Sequence, residues 1–190
     1  MELLEKRILE DGVILPGNVV KVGSFLNHQI DVQLLLELGR EVQRRFAGER
    51  ITKLLTVEAS GIAIATAFAA VMGVPVVFAK KHASSNLSGG VYSAATHSYT
   101  HGTDYTMVVE KAYLSSADRV LIVDDFLANG AAIQSLISIA DQAGAEVAGC
   151  AIAIEKGFQH GGDELRKAGV RVESLAVIDS IDGGTITFRK

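Results

Sequence analysis

Cysteine is almost absent from this sequence. The 190 residues contain one cysteine, Cys150, which lies in the apolar segment Val147–Ile154. A single thiol cannot form a disulfide within the chain or supply a zinc site of several cysteines. A thiol in an apolar segment is typical of a buried, unreactive side chain, so we expect no cysteine chemistry.

Long apolar segments are also lacking. The longest, such as Gly61–Met72, are interrupted by small and polar residues and are shorter than the ~20 residues that a membrane-spanning helix needs. The first residues, Met1–Arg7, place acids before any apolar segment and contain no small-residue cleavage site, so they do not resemble a secretory signal. We expect no contact with a membrane and a cytoplasmic location.

An excess of positive charge is missing as well. The chain has 18 Lys and Arg against 22 Asp and Glu, a net charge of −4, so its overall charge does not indicate nucleic-acid binding. Any phosphate site must be built from local residues. Hydrophobic residues make up 48% of the sequence and charged residues 21%, which is typical of a globular protein, and the length fits one domain over residues 1–190.

The apolar pattern predicts an α/β fold. From residue 51 onward, apolar β-branched segments alternate with helical ones, and the predicted strands are apolar on both faces, as in a parallel sheet packed between helices. Ligands of such sheets bind beyond the carboxyl ends of the strands. The predicted strands are Ile51–Val57, Val74–Ala79, Arg119–Val123 and Val147–Ile154, and the predicted helices are Glu2–Glu10, Asp31–Phe46, Ile62–Met72 and Gly130–Ala143.

Two segments do not follow this alternation. Val13–Phe25 is β-branched and contains Pro16-Gly17, which predicts a short excursion of strand and loop that can cover a site. Ser84–Thr106 is rich in Ser, Gly, Thr, His and Tyr and has little apolar periodicity, which predicts a long loop. Loops of that length are usually functional or mobile.

An anion-binding arrangement follows the third predicted strand. Asp124 and Asp125 come directly after Val123, and a turn of small residues then leads into a helix. Small residues let the backbone approach a ligand, and the free N–H groups of the first helical turn suit a phosphate. The alternative is that the acids merely end the strand and that Gly130 merely opens the helix.

This combination of apolar strand, two acids and small-residue turn resembles the fingerprint of the type I phosphoribosyltransferases. The resemblance implies that Asp124 and Asp125 bind the ribose hydroxyls of phosphoribosyl pyrophosphate, with Mg²⁺ held only indirectly, through ribose or water. It also implies that the turn backbone holds the 5′-phosphate. The turn residues are Ala128, Asn129, Gly130, Ala131 and Ala132, and three of them, Asn129, Ala131 and Ala132, differ from the commoner Thr, Gly and Thr of the family.

The same resemblance assigns the pyrophosphate site. Glu58–Ile62 follows the first predicted strand of the alternation, and its residues Ala59, Ser60 and Gly61 correspond to the turn that wraps the pyrophosphate. Lys81, after Lys80, can neutralise pyrophosphate, although a solvated basic pair is an equal alternative. The segment Ser84–Thr106 corresponds to the flexible loop that closes over the reacting sugar.

The base site is assigned by the segment Ile154–Phe158, where the chain is similar to the family members that use xanthine. An ammonium group only donates hydrogen bonds, so Lys156 suits the 6-oxo group of a purine and not the 6-amino group of adenine, although a solvated lysine is the alternative. The resemblance places Val20 and Asn27 in a small hood over the base, formed by residues from about 13–30 and the C-terminal part. Phe158 and Phe126 are candidates to stack on the purine, and packing in the core is the favoured role for Phe126.

The resemblance therefore implies a mostly parallel sheet flanked by helices and a glycosyltransferase activity. We expect transfer of the 5-phosphoribosyl group from phosphoribosyl pyrophosphate to xanthine, giving xanthosine monophosphate and pyrophosphate in purine salvage, by a homodimer. Two alternatives stay open. One is transfer to hypoxanthine, guanine or adenine, and the other is a non-catalytic regulator that binds phosphoribosyl pyrophosphate, which would normally add a DNA-binding segment.

Overall fold

The fold is organised around a six-stranded sheet. The computed structural model describes residues 1–81, 90–98 and 103–190. In chain order the elements are α1 (Glu2–Asp11), β1 (Val13–Leu15), β2 (Val19–Lys21), α2 (Val32–Arg45), β3 (Lys53–Val57), α3 (Ser60–Met72), β4 (Val76–Ala79), β5 (Val91–Ser98), β6 (Thr103–Glu110), β7 (Arg119–Leu127), α4 (Ala131–Ala143), β8 (Glu146–Lys156), α5 (Gly161–Lys167), β9 (Val172–Asp182) and β10 (Thr185–Phe188).

The strand order of this sheet is β10-β9-β8-β7-β3-β4. Strands β4, β3, β7, β8 and β9 are parallel, and β10 pairs with β9 in the antiparallel direction. The chain moves outward from β3 to β4, crosses back to β7 and then continues to β8 and β9. The carboxyl ends of β3, β7 and β8 therefore lie side by side, which is where ligands bind in sheets of this kind.

Apolar side chains cover both faces of the sheet, as the doubly apolar strands predicted. Leu54 contributes to one core with α1, α2 and α3, whereas its neighbour Leu55 contributes to the other core with α4 and β6. Both leucines are fully buried. This alternation follows from the two-residue period of a strand, and it fixes the sheet between two layers. Within the described part of the chain, no helix is both long and apolar enough to cross a membrane.

The predicted helices and strands of the α/β alternation are confirmed, with shifts at their ends. The largest shift is in β7, which was predicted to end at Val123 but continues through Asp124 and Asp125 to Leu127. The predicted strand is too short because acids usually end strands. In the structure β8 continues alongside β7 and pairs with it as far as Leu127. The elements α5, β9 and β10 were not predicted.

The prediction of a loop over Ser84–Thr106 is wrong for residues 91–98 and 103–106. These residues belong to the antiparallel ribbon β5–β6. The ribbon packs against α4, where the buried Thr96 hydroxyl donates to Ser135 Oγ at 2.7 Å and the Gln142 amide donates to the Ser93 carbonyl at 2.8 Å. Polar side chains make these contacts, so the segment has no apolar signal. Residues 84–89 and 99–102 of the predicted lid lie outside the described residues.

The excursion predicted at Val13–Phe25 is present as the hairpin β1–β2 and a following π-helical turn, Gly23–Asn27. Gly17 and Asn18 make the hairpin turn with φ of 81° and 58°, in the left-handed region that these residue types tolerate. Asp31 then opens α2, because its Oδ1 accepts a hydrogen bond from the Leu34 N–H at 3.1 Å. Arg7 of α1 donates to Asp31 Oδ2 at 2.9 Å.

Asp31 therefore caps α2 and ties it to α1, and its replacement tests both contacts. We expect Asp31→Ala to lower the free energy of unfolding by about 1–2 kcal/mol at neutral pH. The Leu34 N–H and Arg7 hold the pKa of Asp31 below its ordinary value of 3.8. A carboxyl group with a lowered pKa in the folded state stabilises the fold at pH values above its unfolded-state pKa. This stabilisation is lost as the pH falls through the folded-state pKa, so the difference in stability between the two proteins should disappear in acid.

Urea unfolding of both proteins at neutral and acidic pH measures this difference. Asp31→Asn is the matched control, because it keeps an oxygen that can cap the helix but removes the charge that faces Arg7. A difference that stays constant as the pH falls would contradict the assignment of the charge.

Candidate functional site

Two buried carboxylates form the centre of the site. Asp124 and Asp125 are 6% and 8% exposed near the carboxyl end of β7. Burial, and secondarily the charge of Asp125, raise the pKa of Asp124 well above its ordinary value. The Asp125 N–H donates to Asp124 Oδ1 at 3.0 Å, and the Asn27 amide donates to Asp125 Oδ2 at 2.9 Å. The predicted hood residue Asn27 thus contacts the predicted ribose-binding acid.

The predicted phosphate turn connects β7 to α4. Gly130 has a φ of +88°, which places it in the left-handed region, and α4 begins at the next residue. Asn129 Oδ1 accepts a hydrogen bond from the Ala131 N–H at 3.1 Å, so the side chain that replaces the family's threonine folds back onto the turn itself. The remaining N–H groups in the first turn of α4 and the positive end of its dipole are suited to an anion.

The predicted pyrophosphate turn lies next to the acids. It connects β3 to α3, and the Glu58–Ala59 peptide bond in it is cis. Glu58 Oε1 accepts a hydrogen bond from the Lys81 N–H at 2.6 Å, which ties the turn to the end of β4. Gly61 allows the close approach on the other side, because a Cβ atom there would lie 2.1 Å from Thr56 Oγ1 and 3.4 Å from Asp124 Oδ1.

The two lysines after β4 lie in different surroundings. The Lys81 ammonium lies 5.4 Å from the centre of the Tyr105 ring, and its charge acts on Asp124 to lower the pKa of that carboxyl against the stronger effect of burial. Lys80 instead pairs its backbone with Val108 and lines a pocket at the β4 edge of the sheet. Only Lys81 belongs to the site, as the alternation of side chains along an extended segment requires.

Lys156 ends β8 and lies on the same side of the sheet as Phe126. Its ammonium is 5.6 Å from the centre of the Phe126 ring, and burial lowers the pKa of Lys156. Phe126 packs against the core, as predicted, and also lines the cleft. Phe158 is half-buried against the same core and is not among the residues that line the cleft, although Lys156 and Gln159 are.

Two adjoining clefts meet at Val20, which lines both. The first cleft brings Lys156 and Phe126 to the phosphate turn, and the second brings Asn27 to the pyrophosphate turn and Lys81. Four predicted site residues line neither cleft: Asp124, Asp125, Gly61 and Phe158. Asp125 adjoins the second cleft through its hydrogen bond from Asn27, and Gly61 lies against Asp124, so the structure brings together the predicted residues apart from Phe158. Among the lining residues that sequence reasoning did not single out are Thr96 and Tyr105 of the ribbon, Lys21 and His28 of the hood, and Gln159 after β8.

Tyr105 is the most informative of the missed residues. It pairs with Thr96 across the ribbon, so both side chains face the first cleft. Burial, and secondarily the charge of Asp124, raise the pKa of Tyr105. No local signal in the sequence finds this residue, because its orientation depends on the register of two strands.

Cys150 and possible metal ligands are two further features of the described residues. Cys150 is fully buried in β8, as predicted, and burial raises the pKa of its thiol to about 12. In residues 1–81, 90–98 and 103–190, no three His, Cys, Asp or Glu side chains converge as metal ligands. Asp124 and Asp125 suit a hard cation that takes most of its ligands from water or a substrate.

A mostly parallel sheet carries two acids and a small-residue turn at its carboxyl edge, an arrangement that suits a phosphorylated sugar. Residues 22–183 match the family model described as "Phosphoribosyl transferase domain". The chain belongs to the phosphoribosyltransferase family. It is 51% identical to the xanthine phosphoribosyltransferase of Lachnoclostridium phytofermentans, over 100% of this chain and 98% of that protein. It is 52% identical to the xanthine phosphoribosyltransferase of Clostridium novyi, over 100% of both chains.

Solved structures give the same fold. The adenine phosphoribosyltransferase of Rhodothermus marinus superposes with a TM-score of 0.74 at 25% identity, over 93% of this chain and 97% of that chain. The Giardia lamblia enzyme in complex with 9-deazaadenine superposes with a TM-score of 0.76 at 20% identity, over 92% and 96% of the two chains. These similarities confirm the predicted type I phosphoribosyltransferase fold.

The tight packing at Gly61 gives a prediction for the site. We expect Gly61→Ala to lower the free energy of unfolding by about 1–3 kcal/mol, because the added methyl group collides with the buried Thr56 hydroxyl. Gly23→Ala is the matched control, since a Cβ atom there would make an ordinary contact, 3.5 Å from His28 Cβ. Denaturant unfolding measures both changes. Equal stabilities for the two variants would contradict the close approach.

Proposed function

We propose that this protein transfers the 5-phosphoribosyl group from phosphoribosyl pyrophosphate to xanthine, giving xanthosine monophosphate and pyrophosphate in purine salvage. One observation carries the proposal. Lys156, a hydrogen-bond donor suited to an oxopurine, and the phosphate turn line the same cleft. A nucleoside monophosphate has a base at one end and a phosphate at the other, so a cleft with both contacts fits it.

The phosphate turn and the acids would hold the sugar. The backbone of Ala128–Ala132 would donate to the 5′-phosphate, while Asp124 and Asp125 would accept from the ribose hydroxyls. The Asn27 amide occupies one oxygen of Asp125 at 2.9 Å. Ribose binding would therefore exchange this contact for one from the substrate and release Asn27 toward the base.

The pyrophosphate would lie in the second cleft, against Ala59, Ser60, Gly61 and Lys81. Mg²⁺ would reach the site with phosphoribosyl pyrophosphate, held by its oxygens and by Asp124 or Asp125 through ribose or water. When bound, it would neutralise the charge that develops on the departing pyrophosphate. The Lys81 ammonium would add to that neutralisation from the protein side.

The choice of xanthine depends on the proton of the purine ring. In the hypoxanthine-guanine relatives an aspartate stands three residues after the acidic pair and takes this proton, and Ala128 stands there in this chain. Xanthine is a more acidic purine, so it can arrive already ionised and needs no such base. The Lys156 ammonium would favour the anion, and Val20 would form the wall of the hood over it.

The rival functions fit the site less well. Adenine presents a 6-amino donor, which the Lys156 ammonium cannot pair with. Hypoxanthine and guanine present an acceptor but lack the acidity of xanthine. A regulator that binds phosphoribosyl pyrophosphate without transferring it is also less favoured, because the relatives that are 51% and 52% identical over the whole chain are xanthine phosphoribosyltransferases.

We further propose that residues 1–190 act as one domain, that the hood includes the C-terminal part, and that the protein is a cytoplasmic homodimer. The family relation supports the dimer, and light scattering measures it directly. The charge of the substrates supports the location, since phosphorylated ribose does not cross a membrane unaided.

Removal of one carboxylate charge tests the ribose site. We expect Asp125→Asn to keep the fold but to weaken transition-state stabilisation by about 2–4 kcal/mol, because an amide replaces the anion that faces the ribose hydroxyls and their metal. The measurement is kcat/KM for phosphoribosyl pyrophosphate.

Asp118→Asn is the matched control for Asp125→Asn. Asp118 is 8% exposed, like Asp125, but it lies before β7 at the opposite end and pairs with Lys53 at 2.9 Å. This control should lose stability and keep its turnover. Turnover close to that of the parent in a folded Asp125→Asn protein would contradict the ribose assignment.

The pH dependence of transfer tests the identity of the base. Transfer to xanthine should follow ionisation of the base, and hypoxanthine should be used poorly at neutral pH and improve as the pH rises. Burial lowers the pKa of Lys156, so the charge that favours the xanthine anion is present below that pKa and is lost above it. The measurement is kcat/KM for both bases across pH.

Two substitutions separate charge from shape at Lys156. Lys156→Gln should weaken use of xanthine more than use of hypoxanthine, since only the anion gains from charge pairing. Lys156→Arg keeps the charge and should retain the preference for xanthine. Equal losses for the two bases in Lys156→Gln, or a parent that prefers hypoxanthine at neutral pH, would contradict xanthine as the substrate and leave the transferase proposal standing.

A further inference from the structure

A network of buried and half-buried charges lies behind the phosphate turn, outside the two clefts. Its inner end is Glu155, which is 1% exposed and precedes Lys156 in β8. Arg166 of α5 holds both Glu155 oxygens, with Nη1 at 2.9 Å and Nη2 at 2.7 Å. Ser174 of β9 also donates to this carboxylate. The binding of substrate uses none of these groups directly.

The network continues outward to the C-terminal segment. Arg166 also approaches Asp163 Oδ1 at 3.5 Å, and Arg189 Nη1 donates to the same oxygen at 2.9 Å. Arg189 Nε then donates to Asp179 Oδ1 at 3.0 Å. The charges of the network alternate in sign from Glu155 to Asp179. They raise the pKa of Arg166 and Arg189 and lower that of Asp163, in each case mainly through the hydrogen bond to the partner.

Two glycines transmit the position of this network to the phosphate turn. A Cβ atom on Gly162 would lie 2.1 Å from Glu155 Oε1, and one on Gly161 would lie 2.3 Å from the Ala128 carbonyl oxygen. The Gly161 N–H donates to that same carbonyl at 3.1 Å. The backbone at Gly161–Gly162 is therefore wedged between the Glu155 carboxylate and the turn.

The network also fixes the base-binding lysine. Glu155 and Lys156 are neighbours in β8, so their side chains point to opposite faces of the sheet. Glu155 pairs in register with Leu127 of β7 and with Val177 of β9, and β9 continues the pairing to Lys156, the last residue of the strand. A carboxylate anchored on one face by Arg166 sets the direction in which Lys156 leaves the other face.

We propose that Glu155, Arg166, Asp163 and Arg189 form a positioning network that holds the phosphate turn and Lys156 in one geometry. This inference rests on the proposed function, because it assigns the network to the distance between the 5′-phosphate contact and the base contact of one substrate. A buried ion pair is weak evidence of stability, since replacing such a pair by apolar residues is often neutral. The contacts of Gly161 and Gly162 give the Glu155–Arg166 pair a positional role instead.

Two substitutions at opposite ends of the network test the proposal. Glu155→Gln removes the buried charge at nearly constant shape, and Arg189→Gln breaks the outer pairs while leaving the Glu155–Arg166 pair in place. We measure the Kd for ribose 5-phosphate, which reports on the turn, the KM for xanthine, which reports on Lys156, and kcat at saturation. We expect Glu155→Gln to raise both Kd and KM roughly 10- to 100-fold, since small displacements of binding groups have effects of this size.

The expected pattern separates positioning from simple stability. Arg189→Gln should raise Kd and KM in the same direction by a smaller factor, and Arg166→Lys should lose less than Arg166→Gln. The kcat at saturation should change little, because Asp124 and Asp125 are untouched. Arg119→Gln is the matched control, since Arg119 pairs with Glu49 and Glu146 at the opposite ends of β7 and β8 and should affect only the melting temperature.

Unchanged Kd and KM in folded Glu155→Gln and Arg189→Gln proteins would overturn the proposal, whatever happens to their melting temperatures. If Glu155→Gln does not fold, Arg189→Gln decides the question by the same criterion. The parent protein separates this inference from the proposed function. A parent that neither binds ribose 5-phosphate nor forms xanthosine monophosphate contradicts the function, whereas an active parent matched by its variants contradicts the network alone.

Discussion

Burial of two adjacent carboxylates at one edge of the sheet is the constraint on which the rest of the site depends. Asp124 and Asp125 stand within β7 and not after it, so they lie between β3 and β8 instead of in solvent. Burial raises the pKa of Asp124, because the charged carboxylate loses its solvation beside a second carboxylate. Asn27 relieves part of this cost with a hydrogen bond to Asp125 at 2.9 Å. The hood is thus attached to one of the two carboxylates of the candidate site.

The packing around β7 places complementary groups at that edge. The turn to α4 supplies backbone donors, the end of β4 supplies Lys81, and the end of β8 supplies Lys156. Two glycines allow this packing, because Gly130 takes a positive φ and Gly61 leaves room for Thr56. As a result, the proposed base and 5′-phosphate contacts lie in one cleft and the proposed pyrophosphate contacts in the other, with Val20 lining both.

Sequence reasoning found the parts of the site that are local in the chain. The acids, the phosphate turn and the pyrophosphate turn are short motifs, and the structure brings them together at one edge of the sheet. Sequence reasoning failed where the position of a side chain depends on pairing between segments that are distant in the chain. Thr96 and Tyr105 face the cleft because of the ribbon register, which polar contacts with α4 stabilise without an apolar pattern. The stacking predicted for Phe158 has no support in the cleft lining, since this ring packs against the core.

The fold does not decide the substrate, because adenine phosphoribosyltransferases share it. The most direct measurement is the rate of pyrophosphate release from phosphoribosyl pyrophosphate with xanthine, guanine, hypoxanthine and adenine, each supplied separately at neutral pH. The account predicts that xanthine gives the highest kcat/KM and that adenine gives no release above the rate without base. A highest kcat/KM with adenine or hypoxanthine, or no base-dependent release with any of the four, would contradict it.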